Sequence, residues 1–490
     1  MKPFKTLNQI KKISFVLFTI TIVSAVLWNS CNSDNKAQKQ NRAKYVFYYI
    51  GDGMGLSHIV LTESYLAATS DNNHSMPRLN MTQMEHVGLA RTHAKNRLIT
   101  GSAAAGTALA TGSKTTINTI GMTADKKEPL YSIAHSAKKA NYKIGIISSV
   151  TINHATPAAF YAHVPERSQY YDIGLQIGES NFDLFGGGGF DQITGKEKDK
   201  QSLAEVLSDK GFNVLNRNSE FLNLQKLNKN LVFINQNLDT ENAMQYAINF
   251  NETDLTLAQT VAKTTELLYN PDGFFLMVEG GKIDWANHSN DAATAVHDII
   301  DFDNAIAIAL EFYKKHPENT LIVVCSDHET GGLSLGNRES KYDSNPALLK
   351  YQQVSIDSLS RILKNYREIK KQNVSFAEIA DTLKKYVGIG NSEMLLTKEE
   401  LADLENCFNN AVKRNSDKTD SEIFKLASKA INILASKAGI AWATGDHTWQ
   451  PTMVFASGVG SALFAGFYDN TDLVWKLAEI MQIEHVNDKK

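Results

Sequence analysis

The chain has 490 residues, 43% of them hydrophobic and 21% charged, with a formal net charge of −3. That length admits two to four average domains or one large domain with insertions, and the hydrophobic share can bury a large core. Near-neutrality excludes the strongly basic field of a nucleic-acid binder and gives no sign of a strongly charged partner.

In chain order, Lys2, Lys5, Lys11 and Lys12 precede an apolar run from Ile13 to Trp28, followed by Asn29-Ser30-Cys31. A basic flank before a run too short for a membrane span reads as an export leader over 1–30. A small residue directly before a cysteine resembles a bacterial lipoprotein cleavage site, which would leave Cys31 as a lipidated first residue. Trp28 and Asn29 fit that pattern poorly, so a retained anchor or plain secretion stays open. Residues 31–43 then form a polar tether. The expected location is the periplasm or an outer-membrane anchor. Cys325, in an apolar run, and Cys407, far away, make a weak case for a disulfide.

Tyr45 to Ile50 is a β-rich run that delivers Asp52 into a Gly-Asp-Gly turn. Small residues dominate Thr100 to Gly112, which predicts a closely packed helix with Ser102 at its start. A helix start offers unpaired N–H groups and the positive end of the dipole, favourable for an anion. Taken alone, the stretch reads more simply as a capping serine before alanine packing. Lys143 to Ser148, Gly273 to Val278 and Leu321 to Val324 predict further buried strands, followed by Asn153-His154-Ala155-Thr156-Pro157, Glu279-Gly280-Gly281 and Ser326-Asp327-His328. Helical patterns such as Leu130 to Lys139 and Ala292 to Tyr313 separate them. The alternation predicts an α/β, three-layer sandwich with a central, mostly parallel sheet flanked by helices, with ligands at the carboxyl ends of the strands. The folded body is expected to span 44–486. Two segments look inserted: 186–252, which is mixed and rich in Asn and Lys, and 337–435, which is helical and charged. The second would cap the site, form a subunit contact or be a solvated outgrowth.

Asp284 and His288 are four apart and share one face of a helix, an arrangement that suits Zn²⁺ but is also a common surface pair. Asp327 and His328 can serve one metal ion only if their strand ends in a turn, which Glu329-Thr330-Gly331-Gly332 supplies. Glu279 follows a buried strand and needs a partner there. His447, Thr156 and Arg167 would each ordinarily pass as loop residues. Any one of these positions could be coincidence; together with Asp52 and Ser102 they are a set.

The pieces GDGMG, S-A-A-x-x-T-A-x-x-T-G from Ser102, HATPAA, VEGGKIDWANH, SDHETGG and GDHT resemble, in order, the bacterial alkaline phosphatases. No motif covers 337–435. The resemblance implies a phosphomonoesterase acting on small phosphate monoesters, with Ser102 as nucleophile and Arg167 clamping two phosphate oxygens. It implies two Zn²⁺, one held by Asp284, His288 and His447 and the other by Asp52, Asp327 and His328. One Mg²⁺ would lie among Asp52, Thr156 and Glu279. His154 and Trp285, at positions that vary among relatives, would lie near the metals without binding them. Some relatives carry an aspartate before the nucleophile that orients the arginine; Gly101 stands here, which predicts a more mobile Arg167. A homodimer is also implied, a contact the insertions could block or replace. The alternatives are a phosphodiesterase or sulfatase of the same superfamily, or a non-catalytic phosphate-binding lipoprotein.

Overall fold

Tyr45 to Gly51 (YVFYYIG) form a strand in which every residue is buried, because large apolar side chains on both faces need cover on both. Alternation sorts them: Val46, Tyr48 and Ile50 enter one hydrophobic core, Tyr45, Phe47 and Tyr49 another. The buried phenols are satisfied, Tyr48 donating to the carbonyl of Leu109 at 3.3 Å and Tyr49 to that of Ala305 at 2.7 Å. The computed structural model describes residues 42–70, 76–370, 373–413 and 419–487.

The strands, in chain order, are β1 (Tyr45–Gly51), β2 (His86–Arg91), β3 (Lys143–Ser148), β4 (Leu184–Gly187), β5 (Asn213–Leu215), β6 (Leu231–Ile234) and β7 (Phe274–Gly280). They continue as β8 (Thr320–Cys325), β9 (Glu329–Thr330), β10 (Ser334–Leu335), β11 (Ile440–Ala441), β12 (His447–Thr448), β13 (Thr452–Gly458) and β14 (Gly466–Asp469). Ten of them form one sheet in the order β14-β2-β13-β8-β1-β7-β3-β4-β6-β5. It is parallel except for β13, which runs antiparallel to both β2 and β8. In the centre the register pairs Ile50 with both Glu279 and Cys325, and Glu279 with Ser148. The carboxyl ends of β8, β1, β7 and β3 therefore finish level, and the turns and loops leaving these four strands converge there.

Helices cover both faces, among them α1 (Ser102–Thr111), α2 (Lys282–His288) and the long α3 (Ala292–Lys315). One core takes in Leu109 and Ala110 of α1 with Ile133, Ile173 and Leu477 from three further helices. The other takes in Val261 and Leu268, together with Ile299, Phe302 and Ile306 of α3. This is the expected three-layer arrangement.

Two expectations are corrected. Residues 186–252, read as an insertion, supply β5 and β6 to one end of the main sheet, so the segment belongs to it. Arg42 and Ala43, read as tether, are docked: the Arg42 guanidinium bonds and stacks on Tyr142, and Ala43 is buried with its N–H on the Ile480 carbonyl. The leader, Cys31 and the tether through Asn41 lie outside the described residues. Ser102 is not a capping residue. Gly101 holds the cap position in extended backbone, and Ser102 opens α1 with its hydroxyl free to face the site.

The segment 337–435 is helical, with α4 (Ile356–Lys370), α5 (Phe376–Val387), α6 (Lys398–Phe408) and α7 (Thr419–Lys437). It has a core of its own, including Leu359, Leu363, Leu383, Leu404 and Leu434, which continues into Ala292, Ala293 and Val296 of α3. Buried Asp291, three residues past His288, anchors it by accepting from Gln352 Nε2 at 2.7 Å and the Ile356 N–H at 2.9 Å. Packing on this scale makes the helices a structural part of the molecule. Leu359→Ala should cost about 2–5 kcal/mol in chemical denaturation, whereas Ile369→Ala, exposed on the same helix, should cost less than about 0.5 kcal/mol.

Candidate metal and phosphoryl site

The turn after β1 brings Asp52 to the sheet edge, and its geometry demands glycine at the next position. Gly53 has φ +69°, and a Cβ there would lie 2.7 Å from Asp284 Oδ1 and 2.8 Å from Thr330 Oγ1. β7 delivers Glu279, the α2 helix after it presents Asp284, and the end of β8 presents Asp327 and His328. α1 lies close behind because Gly106 lets it approach the backbone of Thr156, which a Cβ would meet at 3.3 Å. Ser102 Oγ is then 3.3 Å from His328 Nε2, both side chains buried.

Three histidines are held by the same device. His447 Nδ1 lies 2.8 Å from the Thr100 carbonyl and His288 Nδ1 lies 2.7 Å from that of Gly445. Each Nδ1 must therefore carry the proton and donate. His328 Nδ1 is 3.2 Å from Thr330 Oγ1, a hydroxyl that spends its own proton on Asp284 Oδ1 at 2.6 Å and so accepts from the imidazole. With Nδ1 so occupied, Nε2 is the atom that each ring turns toward the carboxylate oxygens or toward another ring. His328 Nε2 is 3.4 Å from Asp52 Oδ1 and 3.2 Å from Asp327 Oδ2. His288 Nε2 is 3.4 Å from Asp284 Oδ2 and 3.1 Å from His447 Nε2, itself 3.8 Å from Asp284 Oδ1.

Facing acceptors at these distances repel unless a cation lies between them. A tetrahedral ion with bonds of about 2.0 Å separates its ligand atoms by about 3.3 Å, which is the spacing seen here. Asp52 Oδ1, Asp327 Oδ2 and Glu279 Oε1 are buried and unpartnered. Ligand atoms of Asp52, Asp327 and His328 lie within 4.8 Å of one another, as do those of Asp284, His328 and His447. The donor set therefore fits two N/O-bound divalent ions. A harder, all-oxygen group lies alongside: Thr156 Oγ1 donates to Asp52 Oδ2 at 3.1 Å, and the Ser148 hydroxyl donates to Glu279.

Proton affinities register the same crowding. Burial, and then Asp327, Asp284 and Glu279, push Asp52 well above the carboxylate range. Burial and Asp284 raise Asp327 to about 8, and burial raises Glu279 to about 7 against the pull of Ser148. Asp284 behaves oppositely: burial would raise it, but His288, His328 and His447 outweigh that and hold it well below its ordinary value. Burial works against a charge on His288, yet Asp284 raises it to about 9. In the metal-free chain a proton does there what a cation would do.

Arg167 Nη2 donates to His154 Nε2 at 3.0 Å, and the His154 ring lies 5.8 Å from that of Trp285. Burial and then Arg167 lower His154 to about 3, so it is neutral and can accept. The guanidinium thus has a side-chain partner, although residue 101 offers none. His154 stands beside the guanidinium, with Trp285 behind it. Ser102, Asp52, Thr156, Glu279, Asp284, His288, Asp327, His328 and His447 meet at the sheet edge, and Arg167 is held beside them by His154. Sequence reasoning missed Thr330, which fixes both Asp284 and His328, and Ser148, which supports Glu279. Thr330 could have been found as the residue two beyond His328, returning to its face. It also missed Lys282, whose buried ammonium pairs with Asp239 and lies over the rings of Tyr246 at 3.6 Å and Trp285 at 4.5 Å, fixing the first turn of α2.

Comparison with known proteins agrees on one family. The family model for alkaline phosphatase matches residues 43–483. Alkaline phosphatase 4 of Bacillus subtilis is 30% identical over 491 residues, covering 96% of this chain and 97% of its own length. The crystal structure of a cold-active alkaline phosphatase from Shewanella superposes with a TM-score of 0.75 at 27% identity, over 89% of this chain and 99% of that one. A histidine-to-glutamate variant of the alkaline phosphatase of the Antarctic bacterium TAB5, with Mg bound in its M3 site, gives 0.63 at 26%, over 91% and 100%.

The raised groups make metal-free stability depend on pH with a definite sign. Asp327, Glu279 and His288 hold protons in the folded chain that the unfolded chain releases at their ordinary values of 3.8, 4.5 and 6.5. Their stabilisation is lost as pH rises through the folded values. His154 and His58, lowered to about 3 and about 4, act in the opposite sense only below 6.5. The melting temperature of metal-free protein should therefore fall steadily from pH 6.5 to about 9, and saturating Zn²⁺ and Mg²⁺ should flatten the profile. A flat or rising metal-free profile would contradict this assignment.

Proposed function

The chain belongs to the alkaline phosphatase family and is a phosphatase, and from that premise we propose that it hydrolyses phosphate monoesters through a phosphoryl group carried on Ser102. The carrying observation is the serine hydroxyl 3.3 Å from a bare His328 Nε2, itself facing Asp52 and Asp327. Asp284, His288 and His447 would hold one Zn²⁺, and Asp52, Asp327 and His328 the other. Asp52, Thr156 and Glu279 would hold Mg²⁺, an ion named for the TAB5 variant. When bound, these cations would favour the ionised serine and the departing alkoxide, favour hydroxide from water, and offset charge on the transferring oxygens.

The chain's own residues then have distinct tasks. Ser102, on the first turn of α1, directs its oxygen at phosphorus with unpaired N–H groups and the positive end of the helix dipole behind it. Ionised Ser102 forms a P–O bond as the P–O bond to the alcohol breaks on the far side, and the alkoxide takes a proton from water. The hydroxide so formed attacks phosphorus from that same side, the bond to Ser102 breaks to restore the ionised serine, and inorganic phosphate leaves. Arg167 donates its planar fork to two non-bridging oxygens, and neutral His154 steadies it by accepting from Nη2. Thr330 and the carbonyls of Thr100 and Gly445 keep the imidazoles oriented throughout. The clamp favours a monoester, which offers non-bridging oxygens to spare, over a diester. The leader and Cys31 extend the proposal to an exported, lipid-held enzyme.

Initial rates on an aryl phosphate monoester, the matching diester and the matching sulfate test this directly. Monoester turnover should dominate, collapse with chelator, and fall by at least about a thousandfold in Ser102→Ala. Dominant diester or sulfate turnover would overturn it. A second variant tests the clamp. Gly101 has extended backbone, and a Cβ there would meet only Ile117 at 3.8 Å, so an aspartate fits. Gly101→Asp should tighten inhibition by inorganic phosphate several-fold by adding a charged partner for Arg167. Unchanged inhibition would mean that His154 already orients the guanidinium fully.

A further inference from the structure

Exposure gives the site a direction. Ser102 and His328 are buried, whereas the His447 side chain is 14% exposed and that of His288 38%. Solvent therefore reaches the site past His447 and His288. If phosphorus is seated on Ser102, in-line displacement sends the alcohol away from Ser102. The organic part of an ester must then lie toward those two histidines.

The surface there is apolar. Trp449 is 48% exposed, and Leu98 and Ile99 are 66% and 49% exposed. Trp449 comes two residues after His447, one past the end of β12. Between them Thr448 turns its hydroxyl to buried Glu329, and exposed Trp449 follows directly on the short strand that carries His447. Leu98 and Ile99 directly precede Thr100, whose carbonyl accepts from His447 Nδ1. Ile117 lies against Gly101 on the same rim. Single exposed apolar side chains need no explanation. Here one hydrogen bond brings two such segments, far apart in sequence, to the mouth of one site.

We propose that Trp449, with Leu98 and Ile99, forms an apolar shelf for the leaving group, selecting monoesters of aryl or other large apolar alcohols over those of small polyols. This rests on monoester hydrolysis at Ser102. Phosphate itself, lacking an organic group, does not reach the shelf.

The test compares kcat/KM of metal-loaded enzyme for naphthyl phosphate and glycerol phosphate, together with the inhibition constant for inorganic phosphate. Trp449→Ala should lower the naphthyl-to-glycerol ratio about tenfold, chiefly through KM for the naphthyl ester, and Trp449→Phe should restore most of it. Leu98→Ser with Ile99→Ser should lower it too, whereas Tyr342→Ala, fully exposed elsewhere, should leave both rates unchanged. Phosphate inhibition of Trp449→Ala should stay within about twofold. An unchanged ratio overturns the proposal, as does an equal fall on both esters with weakened phosphate inhibition. Dissociation of an oligomer by Trp449→Ala at an unchanged ratio would assign the rim to a second copy of this chain. No turnover of either ester by the unaltered enzyme would overturn the monoester reading itself, and this proposal with it.

Discussion

Four carboxylates, Asp52, Glu279, Asp284 and Asp327, are buried together at one edge of a sheet, and much of the molecule is built around that burial. Ligand oxygens of Asp52 and Asp327 lie within 4.8 Å of each other, where two like charges repel by about 3 kcal/mol at an effective dielectric of about 20. A chain can keep such a cluster only by protonating it or by supplying cations. The metal-free state does the first, as the raised values of Asp52, Asp327 and Glu279 record. The orientation of the imidazoles is suited to the second, because it turns the Nε2 atoms of His288, His328 and His447 toward the carboxylates.

The scaffold meets this constraint with rigid parts. Four parallel strands of level register end beneath the cluster, so Glu279 stands in the sheet itself and Asp52, Asp327 and Asp284 follow within four residues of a strand end. The outer ligands are held by longer-range devices. β12 pairs with β9, carrying His447 across to the turn just after His328, and the Thr100 carbonyl sets its ring. The helical segment 337–435 joins at Asp291, just beyond the helix that carries Asp284 and His288, which couples its packing to the position of that helix. The departure at Gly101 is met locally, since Arg167 finds a neutral partner in His154.

Much of this was legible in the chain itself. The strands at Tyr45, Lys143, Phe274 and Leu321 showed as apolar runs, and polar residues came after each at the point where such runs must stop. Asp284 and His288 were paired by helical spacing alone. The segment 186–252 misled because β5 and β6 are three and four residues long amid polar sequence, too short to show a period. Thr330 and Ser148 were overlooked because a hydroxyl in a loop or at a strand end has no pattern of its own; its role depends on which carboxylate it meets.

Sequence by itself determined the α/β alternation, the places where strands end, the amphipathic helices of 337–435 and the inventory of Asp, Glu, His and Ser available at those ends. These are properties of nearest neighbours and of periods of two and 3.6, which a linear chain carries openly. Only the tertiary structure decided that His447 stands against His288 and that Ser102 faces His328. Those contacts join residues 159 and 226 positions apart, and they arise from strand order, register and the hydrogen bonds that orient each ring, none of which has a local signature.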